Sequence, residues 1–489
     1  MSLAKDIFTF PFKALGAVGT FLLKDYVLKT KTGAKLAAPK DYKTYLSPSN
    51  TGLLLDGYSL RLSERDSFQN MCVIARVGAG KTSRYIIPNV LARGRENVSL
   101  VVNDPKGEVF NATSGYMRSR GFEIKVIDLE NPERSSCFNP LLEARNDIEL
   151  EQIAEIIIHA GNPGSKDPFW NQGAARILSV LLKCLRNAGA ENPGIFTLAN
   201  VNFLFQNFGV DGSNLADFIG RGSVYRHDPQ DMTLFNEWLG ATTGNREGVQ
   251  SFVLNALTAL RSLTNQNVAR LTSRSDFQLT DMRQRKTITY FITPPQLQEY
   301  YSPITSIFFR CVFNACMREM PTRSTLPVYI LYDEFGHSTI PNFVSTANTI
   351  RAYKVSLSVV LQSISQLAAR YGREQADAIQ GGFMGYLTYS GADPETALFF
   401  ERVAGKVRER QRHDFDEPHR ESQQDYNLMN ADEVRRIAEN KTLIVSGNRQ
   451  PVLLDARPYF DVSEMIKKTK MTPFRPANTA LPSLTFASL

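Results

Sequence analysis

Apolar residues in this chain recur in short runs that are separated by longer amphipathic segments. The runs are typical of buried strands, and the segments between them have the period of helices. Strands that alternate with helices indicate a mostly parallel sheet covered on both faces, so we predict an α/β fold. The predicted strands occupy residues 70–75, 98–102, 123–129, 287–292, 328–332, 355–361, 385–389 and 441–446.

The alternation is interrupted between residues 146 and 276, where helical patterns follow one another with few strand signals. We predict helices over residues 148–160, 169–188 and 248–263. Asp167 is suited to cap the second of these, with Pro168 as its first residue. The order of elements therefore indicates an all-α domain, residues 146–276, inserted into an α/β domain.

Two polar stretches lie near the carboxyl end. Residues 408–425 are dense in charge and glutamine, and we predict a solvated excursion there. Residues 471–489 are rich in proline, threonine, serine and alanine, which predicts a flexible, loosely held tail.

The first 28 residues are apolar enough to suggest contact with a membrane. Lys13 and Lys24 interrupt the apolar stretch, however, and its longest clean part, residues 14–23, is far shorter than the ~20 residues of a spanning helix. A small-residue cleavage site typical of a signal peptide is also lacking after it. For this N-terminal segment, residues 1–49, three alternatives stay open: it lies in a membrane interface, it docks onto a partner, or it packs on the protein's own surface.

Composition narrows the class of protein. The 489 residues with 43% hydrophobic content exceed one compact core, so we expect a globular chain with two or more lobes. With 56 Lys and Arg against 49 Asp and Glu, the net charge of +7 permits anionic partners without requiring them. Five scattered cysteines and five histidines have no ligand-like spacing, which argues against structural zinc and favours buried thiols in a reducing cytoplasm.

The first candidate site is a strand followed by a loop of small residues and a helix start, NMCVIARVGAGKTS at residues 70–83. Gly78, Ala79 and Gly80 let a backbone wrap closely around phosphate oxygens at a helix N-terminus. Lys81 is then suited to reach the β- and γ-phosphates, and the Thr82 hydroxyl to bind Mg²⁺.

Ser83 completes this predicted cofactor-binding set but does not replace Thr82 without a shift of register. The residues that follow are amphipathic and compatible with a helix until Pro88, where we expect the helix to stop. Ala75 occupies the position at which the usual phosphate-loop spacing has glycine. Alanine is tolerated there if the backbone φ angle is negative and disfavoured if it is positive. A bare Gly-Lys-Thr also begins ordinary helices, so the loop needs support from elsewhere in the chain.

That support comes from an apolar strand that ends in Asp333 and Glu334. Carboxylates at the carboxyl end of a parallel strand lie where such sheets bind ligands. Asp333 is suited to hold Mg²⁺, and Glu334 to orient or deprotonate the attacking water. The alternative is that both acids only cap the next helix. Residues 50–145 and 277–470 are thus predicted to form two parts of one nucleotide-binding domain.

Further segments in the same order resemble the coupling-protein ATPases of type IV secretion and conjugation, the TraG/TraD group of the FtsK/HerA-like P-loop translocases. The resemblance extends from about residue 53 to residue 460. The segments that carry it are NDPKGE (103–108), FNPL (138–141), DPFW (167–170), DEFG (333–336), LQS (361–363), QL (366–367), YG (371–372), GNRQP (447–451) and PYF (458–460).

The resemblance implies a RecA-like nucleotide-binding domain, bound ATP and Mg²⁺, and roles for individual residues. Lys81 and Thr82 correspond to the nucleotide and Mg²⁺ ligands, and Asp333 and Glu334 to the Walker B acids. Gln362 resembles a polar sensor of the γ-phosphate, with a surface amide as the alternative.

Other residues are assigned by the same resemblance or by their place in the chain. Arg351 resembles the arginine that ring ATPases insert into a neighbouring subunit's site, with an ordinary exposed arginine as the alternative. Asp104 and Lys106 leave a strand's carboxyl end and are expected near the nucleotide. Arginines in the later part of the all-α domain are candidates for phosphate contacts: Arg221, Arg226, Arg246, Arg261, Arg270 and Arg274.

The implied function is ATP-driven delivery of relaxase-bound single-stranded DNA, or of protein substrates, to a secretion channel. We expect a homo-oligomeric ring, with six members as first choice, at the cytoplasmic face of the bacterial inner membrane. The transmembrane hairpin common in the family is lacking here, so we expect a separate membrane partner or a role for the Phe-rich N-terminal segment. Two rivals remain: a soluble motor that pumps duplex DNA, and a receptor that binds nucleotide without hydrolysing it.

Overall fold

The computed structural model describes residues 28–162, 168–209, 212–224, 232–242, 246–412, 421–477 and 480–488. The Phe-rich residues 7–27 and the predicted helix cap Asp167 lie outside the described residues. Within the described ranges, no helix is both long and apolar enough to cross a bilayer.

A mostly parallel central sheet organises the molecule. Of the strands described, nine form this sheet in the order β12-β11-β8-β2-β7-β6-β3-β5-β4, and the seven from β8 to β4 pair in parallel. Five predicted strands, now β5 to β8 and β11, have the predicted bounds, and the α/β fold is confirmed. In chain order the strands are β1 (Leu28–Gly33), β2 (Met71–Ile74), β3 (Ser99–Asn103), β4 (Glu123–Asp128), β5 (Thr287–Ile292), β6 (Val328–Tyr332), β7 (Val355–Leu361), β8 (Gly385–Tyr389), β9 (Lys406–Arg412), β10 (Glu421–Asn427), β11 (Lys441–Ser446) and β12 (Val452–Asp455).

Helices cover both faces of the sheet because its central strands are apolar on both sides. Every residue of β2, β6 and β7 is buried, as expected for strands between two helical layers. In chain order the α-helices of the described residues are α1 (Pro39–Tyr42), α2 (Glu64–Ser67), α3 (Ile87–Ala92), α4 (Glu108–Ser119), α5 (Asp147–Gly161), α6 (Pro168–Gly189), α7 (Leu198–Gln206), α8 (Ser213–Val224), α9 (Thr233–Thr242), α10 (Arg246–Ala259), α11 (Gln266–Leu271), α12 (Gln298–Met317), α13 (Phe343–Thr349), α14 (Ser365–Tyr371), α15 (Arg373–Gly381), α16 (Pro394–Ala404), α17 (Ala431–Arg435) and α18 (Ser463–Thr469).

Helices α5 to α11 follow one another between β4 and β5, where the sequence predicts the inserted all-α domain. Helix α5 packs against α12, and one hydrophobic core continues from these helices to the sheet. Ile177 of α6, Phe308 of α12 and Leu357 of β7 all belong to that core. The boundaries of the predicted domains therefore stay a prediction, and we call α5 to α11 the helical lobe.

The helix after the phosphate loop differs from the prediction that it stops at Pro88. A π-helical turn, Thr82–Ile86, is followed directly by α3, and Pro88 lies in the first turn of α3. The Ile87 N–H donates to the Thr82 carbonyl across the wider π turn. A proline lacks an N–H and needs room for its ring, and a widened turn just before it supplies that room. The prediction of a stop was wrong for this reason.

The charged stretch around residues 408–425 is exposed where the structure describes its side chains, apart from the half-buried Glu409, but it also contains strand pairing that the sequence did not predict. Strands β9 and β10 pair antiparallel, and β1 pairs with the other edge of β9. Arg408 forms an ion pair with Asp425 on the facing strand at 3.0 Å, and Lys31 approaches Glu409 at 3.5 Å. Backbone pairing and cross-strand charge pairs give this small sheet its order, although its sequence offers little apolar surface.

Most of the described residues of the tail are exposed and lie outside helices and strands, and its flexibility stays a prediction. Its described residues lie against two parts of the protein: Phe474 donates its N–H to the Ser114 hydroxyl, and Ala487 is 6% exposed within the hydrophobic core. Small residues such as alanine and serine let an extended backbone approach a neighbouring helix closely, so low apolar content did not prevent packing.

Candidate functional site

Three neighbouring parallel strands end at the same edge of the central sheet. The phosphate loop follows β2, Asp333 and Glu334 follow β6, and Gln362 follows β7. Strand β7 lies between the other two, so the topology brings together predicted residues that are more than 250 positions apart.

The phosphate loop has the backbone that its small residues predict. Gly78 and Gly80 have φ angles of 82° and 84°, which strongly favour glycine. Ala75 is buried and is not among the residues with positive φ, so alanine at this position causes no backbone strain. The loop therefore keeps a phosphate-sized turn despite the missing first glycine. Ser83 donates its hydroxyl to the Gly80 carbonyl at 3.2 Å, which turns it toward the loop's own backbone.

Lys81 contacts the backbone that leads into the phosphate loop, and Thr82 contacts Asp333 at the carboxyl end of β6. The Lys81 ammonium is buried and donates to the Ala75 carbonyl at 2.9 Å. The Thr82 hydroxyl donates to Asp333 Oδ2 at 3.3 Å. A hydroxyl and a carboxylate oxygen that face each other in this way are the hard donors that Mg²⁺ prefers. The residues present therefore fit a nucleotide triphosphate with its Mg²⁺.

Asp333 is held in a buried position that favours its neutral form. Burial raises its pKa to about 7, and the neighbouring charge of Glu334 adds to the increase. The Lys81 ammonium and the hydrogen bond from Thr82 act in the opposite direction. A bound divalent cation would reverse the balance, because the charged carboxylate would then have a partner.

Glu334 has an unusual backbone and a direct partner. Its φ angle is 54°, a left-handed conformation that is uncommon for residues other than glycine and is often found at functional sites. Gln362 Nε2 donates to Glu334 Oε2 at 2.8 Å, and the Gln362 N–H donates to the Gln366 side chain at 2.8 Å. The structure thus links the two predicted catalytic side chains to each other.

Sequence reasoning missed Asn103 as a member of this site. Asn103 ends β3, next to β6, and donates from Nδ2 to the Asp333 carbonyl at 2.6 Å. Its Oδ1 is buried and has no hydrogen-bond partner. Its position at the end of a strand, directly before the NDPKGE segment, was the signal available in the sequence.

Asp104 follows Asn103 and supports the start of α4. Its Oδ2 accepts from the Phe110 N–H at 2.7 Å in the first turn of α4, and burial raises its pKa to about 6. The carboxylate therefore satisfies the open N–H groups at the start of α4. Lys106, in contrast, is exposed.

Arg351 is not brought to the site of its own chain. It is exposed and lies just before β7, whereas Gln362 follows the other end of that strand. A seven-residue strand spans roughly 23 Å, so the two residues lie at opposite edges of the sheet.

The arginines of the helical lobe have varied surroundings. Arg274 pairs with Asp276 at 3.0 Å, Arg221 donates to the Ser488 carbonyl at 3.1 Å, and Arg261 and Arg270 are exposed. Arg226 and the side chain of Arg246 lie outside the described residues.

Two curated sequence relatives each match more than two thirds of this chain. The chain is 24% identical over 411 residues to protein VirD4 of Rhizobium rhizogenes, and the aligned region covers 79% of this chain and 58% of that protein. It is 23% identical over 344 residues to a probable conjugal transfer protein TraG of Sinorhizobium fredii, and the aligned region covers 68% of this chain and 52% of that protein. The chain therefore spans just over half the length of the curated relatives that it matches.

Solved structures share the fold. The conjugative coupling protein TrwBΔN70 in complex with sulphate superposes with a TM-score of 0.69 at 13% identity, covering 91% of this chain and 96% of that one. TrwB in complex with ADPNP gives a TM-score of 0.69 at 14% identity, covering 93% and 98%. At these identities the likeness establishes the fold alone. The family model for type IV secretory system conjugative DNA transfer matches residues 35–481. Since this match spans most of the sequence, the chain belongs to the type IV secretory system conjugative DNA transfer family.

Proposed function

We propose that this chain is an ATP-hydrolysing coupling protein that delivers DNA, protein or both to a type IV secretion channel. The observation that carries the proposal is the meeting of Lys81, Thr82, Asp333, Glu334 and Gln362 at one sheet edge. Membership of the conjugative DNA transfer family and the likeness to VirD4 and TraG support the proposed role in transfer through a secretion channel. TrwB, which shares the fold, has been solved with ADP and Mg²⁺.

ATP supplies a γ-phosphoryl group for transfer to water, and Mg²⁺ neutralises part of its charge. The open N–H groups at the start of the helix after the loop would bind the phosphates, and Lys81 would exchange the Ala75 carbonyl for phosphate oxygens. Thr82 and Asp333, whose oxygens already face each other, would hold the Mg²⁺. Binding thus replaces contacts within the site rather than building it anew.

Glu334 orients the attacking water and accepts its proton, and Gln362 holds the Glu334 carboxylate in place. Arg351 stabilises the charge on the transferred group of the neighbouring subunit, because it lies at the opposite sheet edge of its own chain. A homo-oligomeric ring, which we expect to be hexameric, is therefore part of the proposed mechanism. A membrane-bound partner would hold the ring at the cytoplasmic face of the inner membrane.

Steady-state ATPase activity of the purified chain tests the proposal. We expect turnover that rises with protein concentration and with single-stranded DNA, and that is lost in Lys81→Ala. Clear nucleotide binding without turnover, both alone and with DNA, would instead support the receptor that does not hydrolyse ATP. Stimulation by duplex DNA but not by single strands would favour the duplex-pumping motor.

A further inference from the structure

The tail of this chain makes two separate contacts, one on the sheet side and one on the helical lobe. On the sheet side, a Cβ at Gly115 of α4 would lie 2.2 Å from the Thr472 carbonyl oxygen, so the tail backbone fits closely against this glycine. The Phe474 N–H donates to Ser114 at 3.0 Å, and the Arg118 guanidinium lies 5.1 Å from the Phe474 ring. This contact leaves residues 480–488 to continue to the lobe.

The second contact has the form of peptide recognition. Asn200 of α7 donates from Nδ2 to the Thr485 carbonyl at 2.8 Å and accepts the Ala487 N–H on Oδ1 at 2.7 Å. One side-chain amide is therefore hydrogen-bonded to the backbone of two alternate residues, as the backbone of a neighbouring strand would be. Asn200 is fully buried, and its amide is hydrogen-bonded to the tail backbone and, through Nδ2, to the Thr197 hydroxyl at 3.1 Å.

Side chains add selectivity to this backbone contact. Ala487 is 6% exposed and lies in the hydrophobic core, which leaves space for a methyl group and little more. The rings of Phe486 and Phe203 lie 4.8 Å apart. Arg221 donates to the Ser488 carbonyl at 3.1 Å, which closes the contact at its far end.

Residues 485–488 belong to neither a helix nor a strand. Their departure would break no regular element. They lie in a groove where they contact α7 through Asn200 and α8 through Arg221, and the Cβ position of Gly194 lies 3.3 Å from the Thr485 hydroxyl.

We propose that this groove, lined by Asn200, Phe203 and Arg221, is a binding site for an extended polypeptide segment with an aromatic residue followed by a small one. The chain's own tail is the resident ligand, and a segment of the same chemistry on another protein displaces it. Because the tail is tethered, its effective concentration at the groove is high, and an added peptide competes poorly until the tail is released.

The test uses the full-length chain and a fluorescein-labelled peptide of residues 480–489, with binding followed by fluorescence anisotropy. An Ala487→Asp substitution in the chain places a carboxylate in the buried position and releases the tail. We expect the released chain to bind the peptide at least about tenfold more tightly than the unsubstituted chain does. A matched peptide that carries Ala487→Asp should bind the released chain at least about tenfold more weakly than the native peptide.

Two further variants link the binding to the groove. Arg221→Ala, at an exposed side chain, should weaken peptide binding to the released chain, and Asn200→Ala should weaken it more. The thermal melting curve and nucleotide binding of each variant establish that it has folded. Equal binding of the native and substituted peptides, or failure of a folded released chain to bind the native peptide, would overturn the proposal.

Discussion

The two ends of β7 differ in what they contribute to chemistry. Its carboxyl end delivers Gln362 to a cluster with Glu334, in which partners are already hydrogen-bonded. Its amino end follows Arg351, which is exposed and lies a strand's length from that cluster. One edge of the sheet thus carries the proposed hydrolytic site, which we call the hydrolytic edge, and the opposite edge carries the arginine to which the proposal assigns a role in phosphoryl transfer. In the proposed ring, two copies of the chain, each using a different edge, would form one working site.

The largest expected effect comes from variants in which each subunit keeps only one of these two edges intact. Arg351→Ala should lower ATP turnover by about 10³-fold, because the charge on the transferred group loses its partner. Lys81→Ala should abolish turnover at the other edge. Mixed rings of the two variants in equal amounts should recover about a quarter of normal activity, since a random ring pairs an intact Lys81 with a neighbour's intact Arg351 at about one interface in four.

Steady-state ATPase assays of each variant alone and of the mixture, at matched total protein, check this expectation. Arg351→Lys is the matched control, because it keeps the charge and loses the planar guanidinium. If the mixture stays as inactive as its components, the two edges do not meet between subunits. Normal turnover in Arg351→Ala alone would make this residue an ordinary surface arginine.

A smaller effect, confined to the hydrolytic edge, is expected from Glu334→Gln. The amide keeps the size of the side chain but does not accept a proton from water, so kcat should fall by about 10²–10³-fold. Affinity for a non-hydrolysable ATP analogue should change little, because Lys81 and Thr82 still hold the phosphates. Pre-steady-state turnover and equilibrium nucleotide binding together separate the two quantities. A proportionate loss of binding would assign Glu334 to the metal or the nucleotide instead.

Gln362→Ala is expected to have a weaker effect at the same edge. Removing the 2.8 Å hydrogen bond to Glu334 should lower kcat by about tenfold, the cost of one hydrogen bond to a charged group. If Gln362 positions Glu334, the ratio of affinities for ATP analogue and ADP stays unchanged. If it senses the γ-phosphate directly, affinity for the ATP analogue falls while that for ADP does not. Unchanged turnover would return Gln362 to the role of a surface amide.

Much of the hydrolytic edge was predictable because each part of it is marked by a local pattern. The strands β5 to β8 are continuous apolar runs with clear ends, and Asp333 and Glu334 stand directly after one of them. The phosphate loop is marked by its glycines and Lys81. Their meeting was predictable from parallel topology alone, since such strands all end at one edge of the sheet.

What could not be predicted depends on contacts between distant segments. The capping of α4 by Asp104, the hydrogen bond from Asn103 to the Asp333 backbone and the packing of Ala487 on the helical lobe have no periodic signal. The pairing of β9 and β10 was missed because cross-strand ion pairs replace the apolar alternation on which strand prediction relies. The π turn before Pro88 was missed because proline usually ends a helix.

The smallest expected effect is a change in the thermal stability of the protein without ligand, caused by Asp333 at the hydrolytic edge. The folded protein holds a proton on Asp333 up to a pH of about 7, whereas an unfolded chain releases it at the ordinary value of 3.8. Stability from this group is therefore full below that ordinary value and falls as the pH rises toward about 7. Asp333→Asn carries no titrating proton and should lack this fall, so above pH 7 its melting temperature should exceed that of the unsubstituted chain by about 1–3 °C.

Differential scanning fluorimetry from pH 5 to pH 8, without nucleotide, measures the difference between the two proteins. Other titrating groups, including Asp104, are common to both chains and cancel in that difference. Addition of Mg²⁺ with ADP should then stabilise the unsubstituted chain more than Asp333→Asn, because the cation pairs with the charged carboxylate. Parallel curves for the two proteins across the whole pH range would show that Asp333 is already charged in the folded protein before Mg²⁺ binds.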